Sequence, residues 1–216
     1  MLVVGFEGYG GRGLNPAAEV AKALDGKNVS GRTVTGAVLP VRYAGLAAHL
    51  AGLLEEHDPR AVICLGLWPG ETTIRLERVA SNFNDFEIPD NDGVIEKGPV
   101  EPAGPASRMT TLPLDAIQTR LLADGIPARM SSTPGNFLCN ATMYMSLGLA
   151  EKLGNIAACC FIYVPYRPAQ VAELVATVKA EQALELHQRG DLASMSLETA
   201  VQAIEIAAET TLDAAG

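Results

Sequence analysis

Apolar positions recur along this chain in two spacings, one typical of buried strands and one typical of amphipathic helices. Short, continuous apolar runs predict strands, and apolar residues three or four positions apart predict helices with one buried face. The predicted strands cover residues 2–6, 33–41, 61–67, 73–82, 128–131 and 157–164. The predicted helices cover residues 16–24, 43–56, 114–123, 138–153, 168–188 and 196–212, and Asn15 with Pro16 marks the start of the first.

Strands that alternate with helices favour an α/β fold, with an open, mainly parallel sheet and helices on both faces. No linker or internal repeat divides the sequence, so residues 1–216 are predicted to form a single domain. In such sheets ligands bind at the carboxyl ends of the strands. The loops after Phe6, Leu67 and Ser131, together with the end of the strand at Val164, are therefore expected to meet at one pocket.

Two segments lack a regular pattern. Residues 84–106 are rich in proline, glycine and acidic residues, and a loop of that length inside a compact domain is often functional. Residues 8–13 carry four glycines directly after a strand, but they form neither a GxGxxG helix start nor a GK[ST] loop. A tight turn is favoured there over a nucleotide site. Phe6 and Tyr9 beside it are either core residues or the lining of an apolar pocket.

Charge and cysteine content exclude several classes of partner and site. The 216 residues carry a formal net charge of −9, and a uniformly acidic surface repels nucleic acid and anionic membranes. No apolar stretch is long enough to span a membrane, and the first residues lack the features of a signal peptide. Four cysteines without a CxxC pair argue against a disulfide framework and a structural zinc site. We therefore expect no metal and a reducing, cytoplasmic location.

Cys139 differs from the other cysteines in its sequence surroundings. Cys64, Cys159 and Cys160 lie inside apolar strands, where cysteine acts as a small, inert apolar side chain. Cys139 follows a Pro-Gly loop and falls in the first turn of a predicted helix. Unpaired amides at a helix N-terminus favour a thiolate and can hold a developing oxyanion. The local sequence leaves two interpretations open for Cys139, a reactive nucleophile and a buried structural cysteine.

A thiol nucleophile normally needs a base, and histidine is the usual one. His49, His57 and His187 are all predicted at exposed helical positions away from Cys139, so the sequence offers no obvious Cys–His pair. Glu77 lies in the sequence Arg-Leu-Glu-Arg, which is typical of an exposed or ion-paired acid. The functional alternative is a carboxylate that faces the pocket and orients a base or binds a substrate N–H.

The most specific signals are short motifs that follow one another along the whole chain. They are Gly-Phe-Glu-Gly-Tyr-Gly-Gly at residues 5–11, Leu-Pro-Val at 39–41, Glu-Arg-Val-Ala at 77–80, Ile-Pro-Asp-Asn at 88–91, Thr-Leu-Pro at 111–113, Gly-Ile-Pro-Ala at 125–128, the stretch 131–140, and Phe-Ile-Tyr-Val-Pro-Tyr at 161–166. Together they resemble pyroglutamyl peptidase I, also called pyrrolidone-carboxylate peptidase, a family of cysteine peptidases. The resemblance implies an open α/β sheet and hydrolytic removal of N-terminal pyroglutamate without metal or cofactor. It also implies a cytoplasmic location and a homo-oligomer.

The same resemblance assigns roles to individual residues. The nucleophilic cysteine of the family corresponds to Cys139, and its active-site glutamate corresponds to Glu77. The two aromatic residues that sandwich the pyrrolidone ring correspond to Phe6 and Tyr9, with tyrosine in place of the usual phenylalanine. A peptide or small amide substrate is expected, and its predicted binding residues also include Leu67 and Leu138.

Two departures from the family pattern fall inside this expected site. The histidine of the family motif Phe-Ile-His-Val-Pro-Tyr is replaced by Tyr163, and a phenol with an ordinary pKa of about 10 is a poor base near neutrality. The family segment Gly-Gln-Ala-Gly-Gly-Arg is here Gly-Leu-Trp-Pro-Gly-Glu at residues 66–71, which alters the wall of the expected pocket. Tyr163 is expected at the catalytic position of the histidine, and Tyr163→His is expected to raise cleavage at least in part.

Three functions remain open from the sequence. The first is a pyroglutamyl peptidase that is impaired because the histidine base is absent. The second is a thiol hydrolase or transferase that acts on another small amide or ester, and the third is a non-catalytic protein that binds a lactam. The changed residues 67–71 count against the first, and a helix-terminal Cys139 counts against the third. The retained Cys139 loop and Glu77 favour the first.

Overall fold

The computed structural model describes residues 1–181 and 192–215, which are arranged around a six-stranded sheet. The strands are β1 (Leu2–Phe6), β2 (Asn28–Val29), β3 (Arg32–Thr33), β4 (Thr35–Leu39), β5 (Ala61–Leu67), β6 (Ile74–Glu77), β7 (Val79–Ser81), β8 (Asn84–Asp85), β9 (Lys97–Gly98), β10 (Ser107–Met109), β11 (Ala128–Ser131) and β12 (Ala158–Val164). The helices are α1 (Pro16–Leu24), α2 (Leu46–His57), α3 (Leu114–Ala123), α4 (Leu138–Leu153), α5 (Pro168–Glu181) and α6 (Leu197–Ala215).

The central sheet has the strand order β11-β6-β12-β5-β1-β4. Four of its five neighbouring pairs are parallel, whereas β12 and β6 run antiparallel with Tyr163 opposite Arg75. β5 and β12 are buried along their full length, as their continuous apolar runs predict. Because β1, β5 and β12 share one direction, their carboxyl ends lie at the same edge of the sheet.

Helices cover both faces of this sheet, and the side chains of β5 alternate between them. Ala61, Ile63 and Leu65 belong to the apolar cluster formed with α1, α3 and α6. Val62 and Cys64 belong to the cluster formed with α2 and α4 on the opposite face. The predicted fold class, an open and mainly parallel α/β sheet with helices on both faces, is confirmed.

Two predicted strands are each divided between two sheets. The strand predicted at 73–82 is β6 in the central sheet followed by β7, which pairs with β10. The division falls at Arg78, whose amide binds the Ser131 carbonyl while its own carbonyl accepts from Thr110, so the chain changes partners at this residue. The strand predicted at 33–41 is divided in the same way, because β3 pairs with β2 and β4 pairs with β1.

Other predicted elements begin or end at different residues in the structure. The helix predicted at 43–56 begins at Leu46, because Gly45 has a φ of 79°, outside the range of an α-helix. The segment 84–106, predicted to be irregular, contains the short antiparallel pair β8 and β9. The helix predicted at 168–188 is α5 as far as Glu181, and its remainder lies outside the described residues.

The glycine-rich segment after β1 is a tight turn, as predicted. A Cβ added at Gly8 would lie 2.0 Å from the Arg12 carbonyl oxygen, so the turn closes too tightly there for any other residue. Asn15 then caps α1, since its Oδ1 accepts a 3.0 Å hydrogen bond from the Ala17 amide. The turn and the cap together bring Tyr9 to the carboxyl end of β1.

Candidate active site

The carboxyl ends of β1 and β5 and the N-terminus of α4 enclose a small cavity of about 50 Å³. Phe6 ends β1 and Leu67 ends β5, and the parallel register of these strands brings both residues to one edge of the sheet. Tyr9 reaches the cavity from the glycine turn, and burial beside Tyr166 and Cys139 raises its pKa to about 12. The other lining residues are Asn15, Val41, Phe137, Leu138 and Cys139.

The loop after Ser131 reaches this cavity by a different route from the one predicted. β11 runs parallel to β6 and therefore antiparallel to β12, so its carboxyl end does not lie at the edge where β1, β5 and β12 end. The loop that follows nevertheless brings Leu138 and Cys139 to the cavity. Of the predicted site residues, Phe6, Tyr9, Leu67, Leu138 and Cys139 line the cavity, whereas Glu77 and Tyr163 lie in the layer of side chains beside it.

Cys139 is the second residue of α4 and is partly exposed. The N-terminus of this helix has no side-chain cap and no acidic residue in its first turn. The first amides of an α-helix lack intrahelical partners, so those beside Cys139 are available to a developing oxyanion. Cys64, Cys159 and Cys160 are buried within strands, as predicted.

The Cys139 thiol is poorly ionised in this environment. Burial of the sulfur raises its pKa to about 12, and the nearby carboxylate of Glu77 acts in the same direction. A helix N-terminus stabilises a negative charge by about 0.3–1 kcal/mol, which is less than the roughly 1.4 kcal/mol that corresponds to one pKa unit. The helix terminus therefore offsets only a small part of the effect of burial on the pKa of Cys139.

Tyr163 is buried on β12, within hydrogen-bonding reach of the Cys139 thiol. Its hydroxyl donates a 2.7 Å hydrogen bond to the carbonyl oxygen of Pro134. Because a phenol carries a single proton, its bond to Pro134 competes with donation to the Cys139 sulfur, the interaction that lowers the pKa of the thiol. Burial and the neighbouring Cys139 raise the pKa of the phenol well above its ordinary value, so Tyr163 does not act as a base near neutrality.

Glu77 is fully buried and pairs with Arg75 two residues earlier on the same strand. The Nε of Arg75 donates to Oε1 of Glu77 at 2.6 Å, whereas Oε2 has no hydrogen-bond partner in the described part of the chain. Burial raises the pKa of Glu77, and the charge of Arg75 offsets part of this effect. Glu77 is therefore the ion-paired acid of the two alternatives that the sequence left open, and its Oε2 has no hydrogen-bond partner among the described residues.

Arg75 was not identified from the sequence, and it connects most of the polar groups behind Cys139. Its guanidinium lies 3.8 Å from the ring centre of Trp68 and 5.4 Å from that of Tyr163, and it donates to the Thr133 carbonyl. The side chains at positions i and i+2 of a strand share one face, so the spacing of Arg75 and Glu77 was the available signal.

The altered segment 66–71 forms part of the same polar layer. Glu71 stands where the resemblance places an arginine, and it is buried with its carboxylate paired to Arg129. Burial opposes the ionisation of Glu71, but hydrogen bonds from Arg129 and the Thr72 amide outweigh it and lower its pKa. Glu71 also lies 3.9 Å from Nη1 of Arg75, so acids and arginines alternate through this layer.

No histidine lines the cavity in the described part of the chain. His49 and His57 lie on α2, and His187 lies outside the described residues. Within residues 1–181 and 192–215, no three His, Cys, Asp or Glu side chains are grouped so that they could hold a metal ion. The described helices also include none with the length and apolar character needed to cross a membrane.

Comparison with known families assigns the whole chain to one of them. The model of the family described as pyroglutamyl peptidase matches residues 1–214. The chain belongs to the pyroglutamyl peptidase family. This confirms the family predicted from the motifs, and with it the class of the chain as a cysteine peptidase of the pyroglutamyl peptidase type.

Individual pyroglutamyl peptidases are similar over nearly the whole chain. The pyrrolidone-carboxylate peptidase of Pyrococcus furiosus is 38% identical over 214 residues, which cover 99% of this chain and 98% of that protein. That of Gloeobacter violaceus is 42% identical over 189 residues, or 86% of this chain and 91% of that protein. A solved structure of the P. furiosus pyrrolidone carboxyl peptidase has a TM-score of 0.90 at 36% identity, and the match covers 100% of this chain and 99% of that one.

The cysteines of this pyroglutamyl peptidase family member should differ sharply in reactivity. Cys139 is partly exposed at the cavity, whereas Cys64, Cys159 and Cys160 are at most 1% exposed. We expect a small alkylating reagent to label Cys139 first in the native protein, and peptide mapping by mass spectrometry measures the order. Labelling of any strand cysteine at an equal or greater rate would contradict this assignment.

Asn140 holds α4 against the segment that follows β6. Its side chain is fully buried, accepts from the Ser81 amide at 2.9 Å and donates to the carbonyls of Ser81 and Phe83 at 2.9 and 3.0 Å. We expect Asn140→Ala to lower the free energy of unfolding by about 2–4 kcal/mol, because it leaves buried backbone groups unpaired. Denaturant titration measures this loss of stability. The matched control is Asn155→Ala at an exposed position, which should lower the free energy of unfolding by about 0.5 kcal/mol or less. Equal losses in the two variants would show that Asn140 does not hold the helix.

Proposed function

We propose that this protein binds the N-terminal pyroglutamyl group of a peptide or small amide in the Cys139 cavity and cleaves it slowly. The observation that carries the proposal is Tyr163, a buried phenol whose proton is held by Pro134 at the place where a base is needed. Phe6, Tyr9 and Cys139 line one cavity, whereas the histidine that would ionise the thiol is replaced by Tyr163. The reaction is therefore impaired rather than abolished, since loss of a base leaves binding and oxyanion stabilisation in place.

Binding of the lactam ring is supported by the shape and chemistry of the cavity. Phe6 and Leu67 offer apolar surface to a flat five-membered ring, and Tyr9 provides an aromatic face from the glycine turn. The raised pKa of Tyr9 keeps its phenol neutral, so it can donate a hydrogen bond to the substrate without adding charge to the cavity. A peptide that begins with the neutral pyroglutamyl ring is thus preferred over one with a free α-ammonium group. The ammonium group would be buried in an apolar site that has no carboxylate among its lining residues.

Cleavage then proceeds through a thioester. The Cys139 sulfur forms a bond to the carbonyl carbon that links pyroglutamate to the next residue, and the amides at the start of α4 hold the oxyanion. The C–N bond breaks, the amine leaves with a proton from water or from the Tyr163 hydroxyl, and water hydrolyses the thioester to pyroglutamate and thiol. The proton on Cys139 must first pass to solvent hydroxide or to the Glu77 carboxylate, because the Tyr163 phenol is not a base near neutrality.

A second candidate is a lactam-binding protein without turnover. The specific observation in its favour is the Arg75–Glu77 pair, which commits one carboxylate oxygen of Glu77 to a cation instead of to a base. The two candidates share the binding step and differ only in whether the Cys139 thiol reacts within the lifetime of the complex.

The test combines binding with turnover. A fluorogenic pyroglutamyl amide reports cleavage, and calorimetric titration with a pyroglutamyl peptide reports binding, for the unmodified protein, for Cys139→Ala and for Cys64→Ala as the matched control. We expect slow cleavage that Cys139→Ala abolishes and Cys64→Ala retains, with binding unchanged in all three proteins. Binding without turnover would favour the second candidate, and absence of binding would refute both.

The proposal extends to the setting of the protein. The free cysteines at the described positions suit a reducing compartment, which supports the proposed cytoplasmic location. A homo-oligomer is proposed from the family resemblance, and light scattering of the purified protein measures it.

A further inference from the structure

The polar layer behind Cys139 contains one residue whose role goes beyond the proposed slow cleavage. Arg75 is 4% exposed and lies directly opposite Tyr163 in the antiparallel register of β6 and β12. On the same strand and the same face of the sheet it pairs with Glu77 at 2.6 Å. Arg75 therefore stands between the position of the missing base and the carboxylate that would orient such a base.

We propose that Arg75 is a positioning residue that withholds Glu77 from position 163, so that the loss of the histidine and the presence of Arg75 form one coupled change. This inference rests on the proposed function, because it explains why cleavage is slow. A general base in a thiol hydrolase is normally held and balanced by a third group that accepts its second N–H. In this site the corresponding group is Glu77, whose Oε1 is already bound to Arg75, while Oε2 has no hydrogen-bond partner among the described residues.

The charges around the thiol explain the coupling. The ionisable groups that act on Cys139 or are acted on by it are Tyr9, Cys64, Arg75, Glu77 and Tyr163. Glu77 raises the pKa of Cys139 and Arg75 lowers it, so the two members of the ion pair act on the thiol in opposite directions. A histidine at position 163 would face the guanidinium of Arg75 across the strands, and this like charge would oppose formation of an imidazolium.

The proposal predicts that removal of the Arg75 charge has opposite effects in two backgrounds. With Tyr163 present, Arg75→Gln leaves the Glu77 carboxylate uncompensated beside the thiol, so alkylation of Cys139 slows. With Tyr163→His, the same change releases Glu77 to pair with the imidazolium, so the thiolate is stabilised and alkylation accelerates. Glutamine is shorter than arginine, but its amide nitrogen falls at the position of the arginine Nε and can still donate to Glu77, which favours folding of both variants.

The experiment is a double-mutant cycle on the full-length protein, with the rate of iodoacetamide labelling of Cys139 followed against pH. We expect Tyr163→His alone to change the rate at pH 7 by about threefold or less. With Tyr163 in place, Arg75→Gln should lower the labelling rate of Cys139. In the Tyr163→His protein, adding Arg75→Gln should raise that rate about tenfold or more, which is the change produced by one pKa unit. Arg75→Lys with Tyr163→His keeps the charge and should show no such gain.

Two further variants separate this role from a structural one. Arg78→Gln removes the same charge one residue beyond Glu77, where the side chain is exposed, and should leave labelling within about twofold of the unmodified protein in either background. If the double variant does not fold, Glu77→Gln in the Tyr163 background tests the same balance. Glu77→Gln leaves the Arg75 charge without its carboxylate partner, so the labelling rate of Cys139 should rise. An unchanged labelling rate in this variant would overturn the proposal.

The outcome of this cycle is independent of the proposed function. Labelling needs no substrate, so absence of the sign reversal would overturn the role of Arg75 whatever the protein cleaves. Absence of cleavage in every variant, with the sign reversal present, would instead reject the proposed substrate and leave the Arg75 assignment in place.

Discussion

Cleavage of a pyroglutamyl amide by this protein is expected to accelerate about tenfold with each pH unit between about pH 7 and pH 10, or about a thousandfold in total. The reason is that burial raises the pKa of the Cys139 thiol to about 12, so the ionised fraction stays small and grows in proportion to hydroxide over this range. A Cys–His pair behaves differently, because a histidine with a pKa of about 6.5 lets the rate level off near neutrality. The measurement is kcat/KM of a fluorogenic amide against pH.

Two controls accompany this profile. The Cys139→Ala protein should give only the alkaline background hydrolysis of the amide at every pH, and that background is subtracted. Circular dichroism across the same range must show that the fold persists. A rate that levels off below about pH 8 would mean that an unidentified base ionises the thiol, and the account of Tyr163 would then be wrong.

The buried Arg75–Glu77 pair is expected to dominate stability on the cavity side of the sheet. Arg75→Ala should lower the free energy of unfolding by about 3–5 kcal/mol, because it leaves the fully buried Glu77 carboxylate without its cation. Replacement of both partners by apolar side chains, Arg75→Met with Glu77→Leu, should cost far less, since it removes both desolvated charges together. Guanidinium chloride titration of the three proteins measures the difference.

The test compares the loss of unfolding free energy in Arg75→Ala with the loss in the double variant. Arg120→Ala provides a control, because Arg120 pairs with Glu209 on the surface, where an ion pair contributes about 1 kcal/mol or less. Arg75→Ala should exceed that control severalfold. If the double variant loses as much stability as Arg75→Ala, packing of the arginine stem, and not the unpaired charge, accounts for the effect.

Much of the cavity could be predicted because it depends on short-range signals. The apolar runs ending at Phe6 and Leu67 predict buried strands, and parallel strands must place their carboxyl ends at one edge. The Pro-Gly loop before Cys139 predicts the start of α4 at its observed residue, and the Asn15 cap predicts the start of α1. Each of these inferences needs only local chemistry and the direction of the chain.

The polar layer could not be predicted because it depends on pairing between distant strands. Arg75 and Glu77 have the spacing of one strand face, but flanking arginines are equally typical of a solvated edge. Only the antiparallel register of β6 and β12 buries them and places Arg75 opposite Tyr163. The same reversal of direction explains why β11 does not end where a fully parallel sheet would place it.

In the proposed function, Cys139 is a nucleophile held in its protonated form because Tyr163 cannot serve as its base. The most direct measurement is the ultraviolet absorbance of the thiolate against pH, taken as the difference between the unmodified protein and Cys139→Ser. The account predicts no ionisation of Cys139 below about pH 10, two units under a pKa of about 12. A thiolate that forms near or below neutrality would contradict it.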